Sequence, residues 1–273
     1  MATVEFGKKV SQKHFASRQR YQRLSKYILP TGLKPEDGGV GLERARSLLH
    51  EGVGLVIVYP HLSKTDTYRL EELWQYQEFA ERRCLTPIAL HQDNLLARKT
   101  AAPTGLEFYP IVTPETVIRE KNKGLPEGHG RMGFLNSSAR ALAEAGIILF
   151  APTGTRMSEL SMPPGRLRPT DILLNHVDMR GVPFAIFVTA FEIDGVTSYK
   201  KAAGLNLRKR YTLHTGSTFL ASEILEELAT FREEKRLPAD PKRPFDNTDK
   251  WLYEKQFPLL VPPAYNPKGI GKT

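Results

Sequence analysis

Short continuous apolar runs alternate along this chain with stretches in which apolar residues return every three or four positions. Leu42, Ala45, Leu48 and Leu49 recur at helical spacing, and Gly52 stands where a C-terminal cap belongs. Residues 53–59 then form an unbroken apolar run, the pattern of a strand buried on both faces. Helical periodicity returns over 67–83, with Leu70, Leu73, Trp74 and Ala80 as its apolar stripe. Segments 87–90 and 108–112 read as strands, 137–145 as a helix ended by Gly146, and 147–151 as another buried strand. Residues 182–193 are the longest strand candidate, and Phe219, Leu220, Ile224, Leu228 and Phe231 suit a C-terminal helix. Helices alternating with buried strands predict an α/β domain with a mixed, mainly parallel sheet flanked by helices.

The same pattern divides the chain. Gly38, Gly39 and Gly41 mark a boundary. The expected organisation is an N-terminal arm over 1–38, an α/β domain over 39–236, and a proline-rich tail over 237–273. The tail is expected to wrap the surface without regular structure. No stretch approaches the roughly 18 apolar residues that cross a bilayer. Cys84 is the single cysteine, so no intramolecular disulfide forms and a reducing compartment, the cytoplasm, is expected.

Charge changes the picture only near the start. The formal net charge is +9. Lys8, Lys9, Lys13, Arg18, Arg20, Arg23 and Lys26 face Glu5 alone in the first thirty residues, seven cations against one acid, which is +6 and leaves +3 for the remainder. This arm reads in three ways. It is a solvated segment, a helix lying on an anionic membrane surface with Tyr21, Leu24 and Ile28 on one stripe, or an organelle transit segment. Nucleic acid is not an expected partner, because no recognition motif or aromatic-basic platform accompanies the charge.

Two segments carry candidate chemistry. The run ending in Tyr59-Pro60 delivers His61-Leu62-Ser63-Lys64-Thr65-Asp66 at the C-terminal end of a predicted strand, the edge where open α/β sheets gather ligands. A histidine followed five residues on by an aspartate can pair with it across one turn. The carboxylate then fixes the imidazole tautomer and leaves the other nitrogen as a base. Alternatively, Asp66 caps the following helix and His61 is merely a surface residue. The spacing alone arises by chance in about one such chain in four, so the strand context and a second motif carry the reading. That second motif is Phe150-Ala151-Pro152-Thr153-Gly154-Thr155-Arg156, again after a buried strand. Gly154 permits close backbone approach, Thr155 offers donors, and the planar fork of Arg156 matches phosphate oxygens.

Together the motifs resemble the glycerophospholipid acyltransferase family. Its members carry H-x4-D after a hydrophobic strand, then a strand leading into F-P-E-G-T-R, then a V-P-rich strand. Here these are His61 to Asp66, Phe150 to Arg156 and Val182-Pro183-Phe184, and the resemblance covers residues 41–192. It implies a glycerol-3-phosphate acyltransferase-like fold and direct acyl transfer by His61 and Asp66, without an acyl-enzyme. The implied donor is acyl-CoA or an acyl carrier protein, and no cofactor is implied. The implied acceptor is a hydroxyl of glycerol 3-phosphate or lysophosphatidic acid in phospholipid biosynthesis. A cytoplasmic location is expected from the cysteine count, and a peripheral place on the membrane follows only from the membrane reading of the arm. Gly154, Thr155 and Arg156 would bind the acceptor phosphate, with Arg131, Arg166 and Arg168 as further cations. Arg119, Lys121 and Lys123 compete with Arg131, because the second block of the family has no clean match. Thr153 replaces the usual glutamate, a variant similar to the A-P-S-G-G-R of soluble plastid-type glycerol-3-phosphate acyltransferases. A thioesterase or esterase using the same pair on water, or a lipid-binding relative without turnover, are the competing readings.

Other signals carry less. Gly271-Lys272-Thr273 imitates the end of a phosphate-binding loop, but Asn266 holds the place of the first glycine. His91 and Asp93 lack further ligands at zinc spacing, His129 sits between glycines in a predicted loop, and Cys84 lies beside Arg82 and Arg83 with no evident base.

Overall fold

The computed structural model describes residues 10–62, 65–93, 101, 104–120, 124–153, 160, 168–196, 209–262 and 265. Seven strands form one sheet in the order β1-β7-β6-β2-β5-β3-β4. They are β1 Thr31–Pro35, β2 Gly54–Val58, β3 Cys84–Ala89, β4 Leu106–Ile111, β5 Ile147–Phe150, β6 Phe184–Ile193 and β7 Tyr211–Leu220. Every neighbouring pair is parallel except β6 with β7, so the expected mixed, mainly parallel α/β architecture is found. Among the described residues no helix is long and apolar enough to cross a membrane.

The central strand explains the rest. All five residues of β2 are buried, and both its edges are paired, Val58 with Phe150 of β5 and with Val188 of β6. Such a strand has neither a wet face nor a free edge, which is why its sequence is apolar without alternation. Helix α2, Val40–His50, packs beside it through Leu42, Ala45, Leu48 and Leu49, as its periodicity predicts. Gly41 is a packing residue rather than a linker, since a Cβ there would run into the carbonyl of Gly216 in β7.

The helix expected over 67–83 is broken. Helix α3 spans Asp66–Arg69, a 3-10 stretch follows over Leu70–Gln75, Tyr76 is extended, and α4 spans Gln77–Ala80. The break at Tyr76 lets Phe79 turn onto Phe187 of β6, with ring centroids 6.1 Å apart, while Arg46 covers the Tyr76 ring. Helix α5 is Pro114–Arg119, and α6 is Arg131–Ala143. The turn after α6 places Ala145, not Gly146, in the left-handed region at φ 53°. Helix α7 is Pro169–Asp178 and α8 is Ala221–Lys235, so Phe219 and Leu220 close strand β7 instead of opening the helix.

The solvated reading of the N-terminal arm and the expected lack of regular structure in the C-terminal tail are overturned. Residues 12–28 form helix α1, Gln12–Ile28, bound to the domain. Arg18 is fully buried and donates to the carbonyls of Thr104, Ala80, Arg82 and Gly105 at 2.6–3.3 Å, with its guanidinium over Trp74. Glu71 is buried in the same place, where burial raises its carboxyl well above the usual range and Arg18 opposes the shift. Tyr21 faces inward onto Trp74, so it does not share an outer stripe with Leu24, which is exposed. The side chain of Ile28 lies outside the described residues.

The proline-rich tail is also structured. Helix α9, Thr248–Trp251, runs through a π turn at Leu252–Gln256 into α10, Phe257–Leu260. Trp251, Leu252 and Phe257 are core residues. The segment joins the domain through exchanged helix caps. Asp171 near the start of α7 accepts from the amides of Asn247 and Asp249 at 2.8 and 2.9 Å, and Asp249 accepts from the amide of Thr170 at 3.0 Å.

Both carboxyls are raised above the ordinary range. Burial is the leading cause for each, the Asp171 charge adds to it at Asp249, and the amide bonds oppose it. A carboxyl raised on folding contributes stability that is fully present below its unfolded value and is lost as pH climbs through its folded value. The protein should therefore lose stability as pH rises from the ordinary carboxylate range through neutrality. Asp249→Asn keeps an oxygen for Thr170 and removes the second charge, so its melting temperature should fall less over that range. Parallel wild-type and variant curves would refute this.

Candidate active site

Beyond Val58 the chain leaves the sheet through Tyr59 and Pro60 to His61. Tyr59 fixes the exit. Its amide donates to the Phe150 carbonyl at 3.2 Å, and its hydroxyl lies 3.1 Å from Thr67 Oγ1. Its ring meets the imidazole edge-on at 6.5 Å. Burial raises the Tyr59 hydroxyl far above its usual value, so the group stays protonated. Leu62 is buried beneath the turn.

The turn closes on Asp66. Its carboxylate is fully buried, and one oxygen, Oδ2, accepts from the Leu62 amide at 2.6 Å and lies 2.9 Å from His61 Nδ1. Thr65 holds the cap position of α3 without a side-chain cap bond, so Asp66 is not the helix cap that the sequence also allowed. The His61 side chain is 23% exposed against 0% for Asp66, an imidazole open to the edge on a support closed to water. With Nδ1–H donated to the carboxylate, the basic lone pair of the ring belongs to Nε2.

A buried carboxylate needs nearby positive charge. Arg69, one turn further along α3 and 1% exposed, lies within electrostatic reach of it. Its Nε donates to Thr65 Oγ1 at 3.0 Å, and its Nη1 donates to the Pro30 carbonyl at 3.2 Å and Thr31 Oγ1 at 3.1 Å. The guanidinium lies 3.5 Å above the centre of the Tyr211 ring. Burial lowers its pKa, while Tyr211 and Asp66 act to hold the charge. Arg69 was not among the residues expected from the sequence. Its signal was the three-residue spacing from Asp66, which puts an acid and a base on one helical face.

The second motif emerges next door. Val58 and Phe150 are register partners, so the segments after β2 and β5 leave the same edge side by side. Pro152 and Thr153 are buried there. Gly154, Thr155, Arg156 and Arg166 lie outside the described residues. Arg168 is committed elsewhere, with Nη1 on Asn247 Oδ1 at 2.7 Å and 3.9 Å from Asp171 Oδ2. It ties α7 to the C-terminal segment. Arg131 opens α6 against Gly128. It lies at the correct edge but beyond β4, three strands from β2, which is about 14 Å of sheet. Among the other histidines, His91 Nδ1 lies 2.9 Å from Thr116 Oγ1, and burial pushes the Cys84 thiol up to about 12, where it is inert at neutral pH.

The geometry defines an α/β protein with a His–Asp pair at the C-terminal edge of its central strand. No protein-family model matches the chain, and no curated protein sequence matches it.

The two members of the pair should differ in structural weight. Asp66→Ala orphans the buried Leu62 amide as well as His61 Nδ1, and should cost about 1–3 kcal/mol. His61→Ala removes a part-exposed ring and should cost less. Urea unfolding of both variants checks the order, and a reversed order would contradict the placement of Asp66.

Proposed function

We propose that this chain is an O-acyltransferase. It moves a fatty acyl group from acyl-CoA or an acyl carrier protein to a hydroxyl of glycerol 3-phosphate or lysophosphatidic acid. The observation that carries the reading is the His61–Asp66 contact of 2.9 Å at the end of β2, with the acid buried and the imidazole open to the edge.

In the proposed reaction His61 Nε2 takes the proton of the acceptor hydroxyl as its oxygen attacks the thioester carbonyl. The new C–O bond forms, the C–S bond breaks, and the thiolate leaves with the proton returned from the imidazolium. Buried Asp66 holds the ring through Nδ1 and stabilises its cationic form, as in hydrolytic triads. Arg69 acts on Asp66 and Thr65, not on the substrate. Arg156 holds the acceptor phosphate through a bidentate fork, with Gly154 and Thr155 as further phosphate-binding residues. The adjacency of the segments after β2 and β5 supports this division of labour. Thr153 contributes no carboxylate.

Purified His61→Ala should lose acyl transfer by about 10²- to 10⁴-fold while keeping its melting temperature. Asp66→Asn, which disturbs orientation but leaves the base, should lose less. The assay supplies acyl-CoA with and without glycerol 3-phosphate and follows both ester product and free fatty acid. Wild-type turnover in His61→Ala would sink the mechanism, and fatty acid release indifferent to glycerol 3-phosphate would identify a thioesterase.

Arg156→Lys tests the acceptor. Losing charge-assisted bonds of about 1.5–3 kcal/mol should raise the acceptor KM about tenfold or more, with little change in the donor KM. Equal damage to both constants would make Arg156 a structural residue.

A further inference from the structure

Helix α1 is held to the domain by one face, and its other face is unusual. Phe15, Arg18 and Tyr21 turn inward, whereas Gln12, Lys13, Ala16, Gln19, Arg20, Arg23, Leu24 and Tyr27 are exposed. The 17 residues of α1 include no Asp or Glu. Two large apolar side chains stand among the exposed cations, Leu24 at 60% and Tyr27 at 88% exposure. An outward face that mixes arginine with leucine and tyrosine and excludes acids is complementary to an anionic, partly apolar surface.

The helix also has a direction. Just before it, the Val10 amide bonds the Glu81 carbonyl, below the start of β3. Just after it, the Pro30 carbonyl and Thr31 hydroxyl receive Arg69, next to the His61–Asp66 turn. Leu24 and Tyr27 therefore lie at the catalytic edge of the sheet. The far flank of that edge also exposes apolar side chains, here beside an Arg119–Glu115 ion pair. Ile118 in α5 and Met132 at the start of α6 are exposed by 66% and 59%, and α5 ends in exposed Arg119. Both elements follow β4 and sit beyond its C-terminal end.

We propose that this edge is a docking surface for an anionic bilayer. The outer face of α1 makes the main contact, Ile118 and Met132 make a second, and the His61 edge faces the lipid. The proposal rests on exposure, charge and topology and not on the acyl-transfer reading, so either can fail without the other.

The test is flotation of the full-length protein with vesicles, read as bound fraction and not as activity. Vesicles of phosphatidylcholine mixed with phosphatidylglycerol should bind the protein, pure phosphatidylcholine should bind it weakly, and added salt should release it. Arg20→Glu with Arg23→Glu should lower partitioning about tenfold or more. Leu24→Asp with Tyr27→Asp should do the same by removing the apolar insertion. Met179→Asp changes an apolar residue 71% exposed at the opposite edge and should leave binding unchanged. Melting curves establish that each variant is folded, and the arginine pair alone decides the question if the Leu24 and Tyr27 variant is not. Failure to bind anionic vesicles at low salt overturns the proposal. So does equal loss in Met179→Asp, or binding to duplex DNA in place of vesicles, which would assign the face to nucleic acid.

Discussion

A single buried carboxylate oxygen, Asp66 Oδ2, sets the arrangement of the candidate site. It takes the Leu62 amide and faces His61 Nδ1, so the turn between strand and helix closes around it. A carboxyl group removed from water needs polar partners nearby, and these reach outward in steps. Arg69 is drawn into the interior beside it, and Arg69 in turn requires acceptors. These come from Pro30 and Thr31 at the α1–β1 corner and from the face of the Tyr211 ring on β7. The outer half of the sheet is thus built partly to seat one guanidinium.

The same device holds α1. Arg18 directs its donors onto backbone carbonyls that precede β3 and β4. The helix is consequently fixed by hydrogen bonds to main chain as well as by Phe15 and Tyr21 packed on the core. At the far side of the sheet, His214 places its two ring nitrogens 2.8 Å from Glu36 and 3.0 Å from Glu192, joining β1, β7 and β6 through one imidazole. The bond to His214 holds the Glu36 carboxyl below its usual range.

What the sequence made legible was governed by apolar pattern, and what it hid was governed by polar contacts between distant segments. Strands β2, β5 and β6 are apolar runs buried on both faces, and their type follows from composition alone. Strand β7 is not legible in that way, because Tyr211-Thr212-Leu213-His214-Thr215-Gly216-Ser217-Thr218 is largely polar. Its burial becomes intelligible only when His214 meets two carboxylates and Gly216 meets α2 and Leu260. Strand β1, Thr-Gly-Leu-Lys-Pro, has no strand pattern of its own and is extended because β7 pairs with it. The prolines after residue 237 concealed a helical segment whose start is capped from α7. At the site, the His61–Asp66 pair was legible from spacing and strand context, while Arg69 was signalled only by its spacing from Asp66, because Pro30, Thr31 and Tyr211 lie far from it along the chain.

The register of β1 has a consequence for how the molecule comes into being. Its sheet partner is β7, with Thr31 aligned to Tyr211. During synthesis the first strand therefore leaves the ribosome long before the residues that pair with it exist. Until Tyr211 emerges, Arg69 also lacks the aromatic face on which it rests. The His61–Asp66 turn is made early but receives its full support only once β7 has been made.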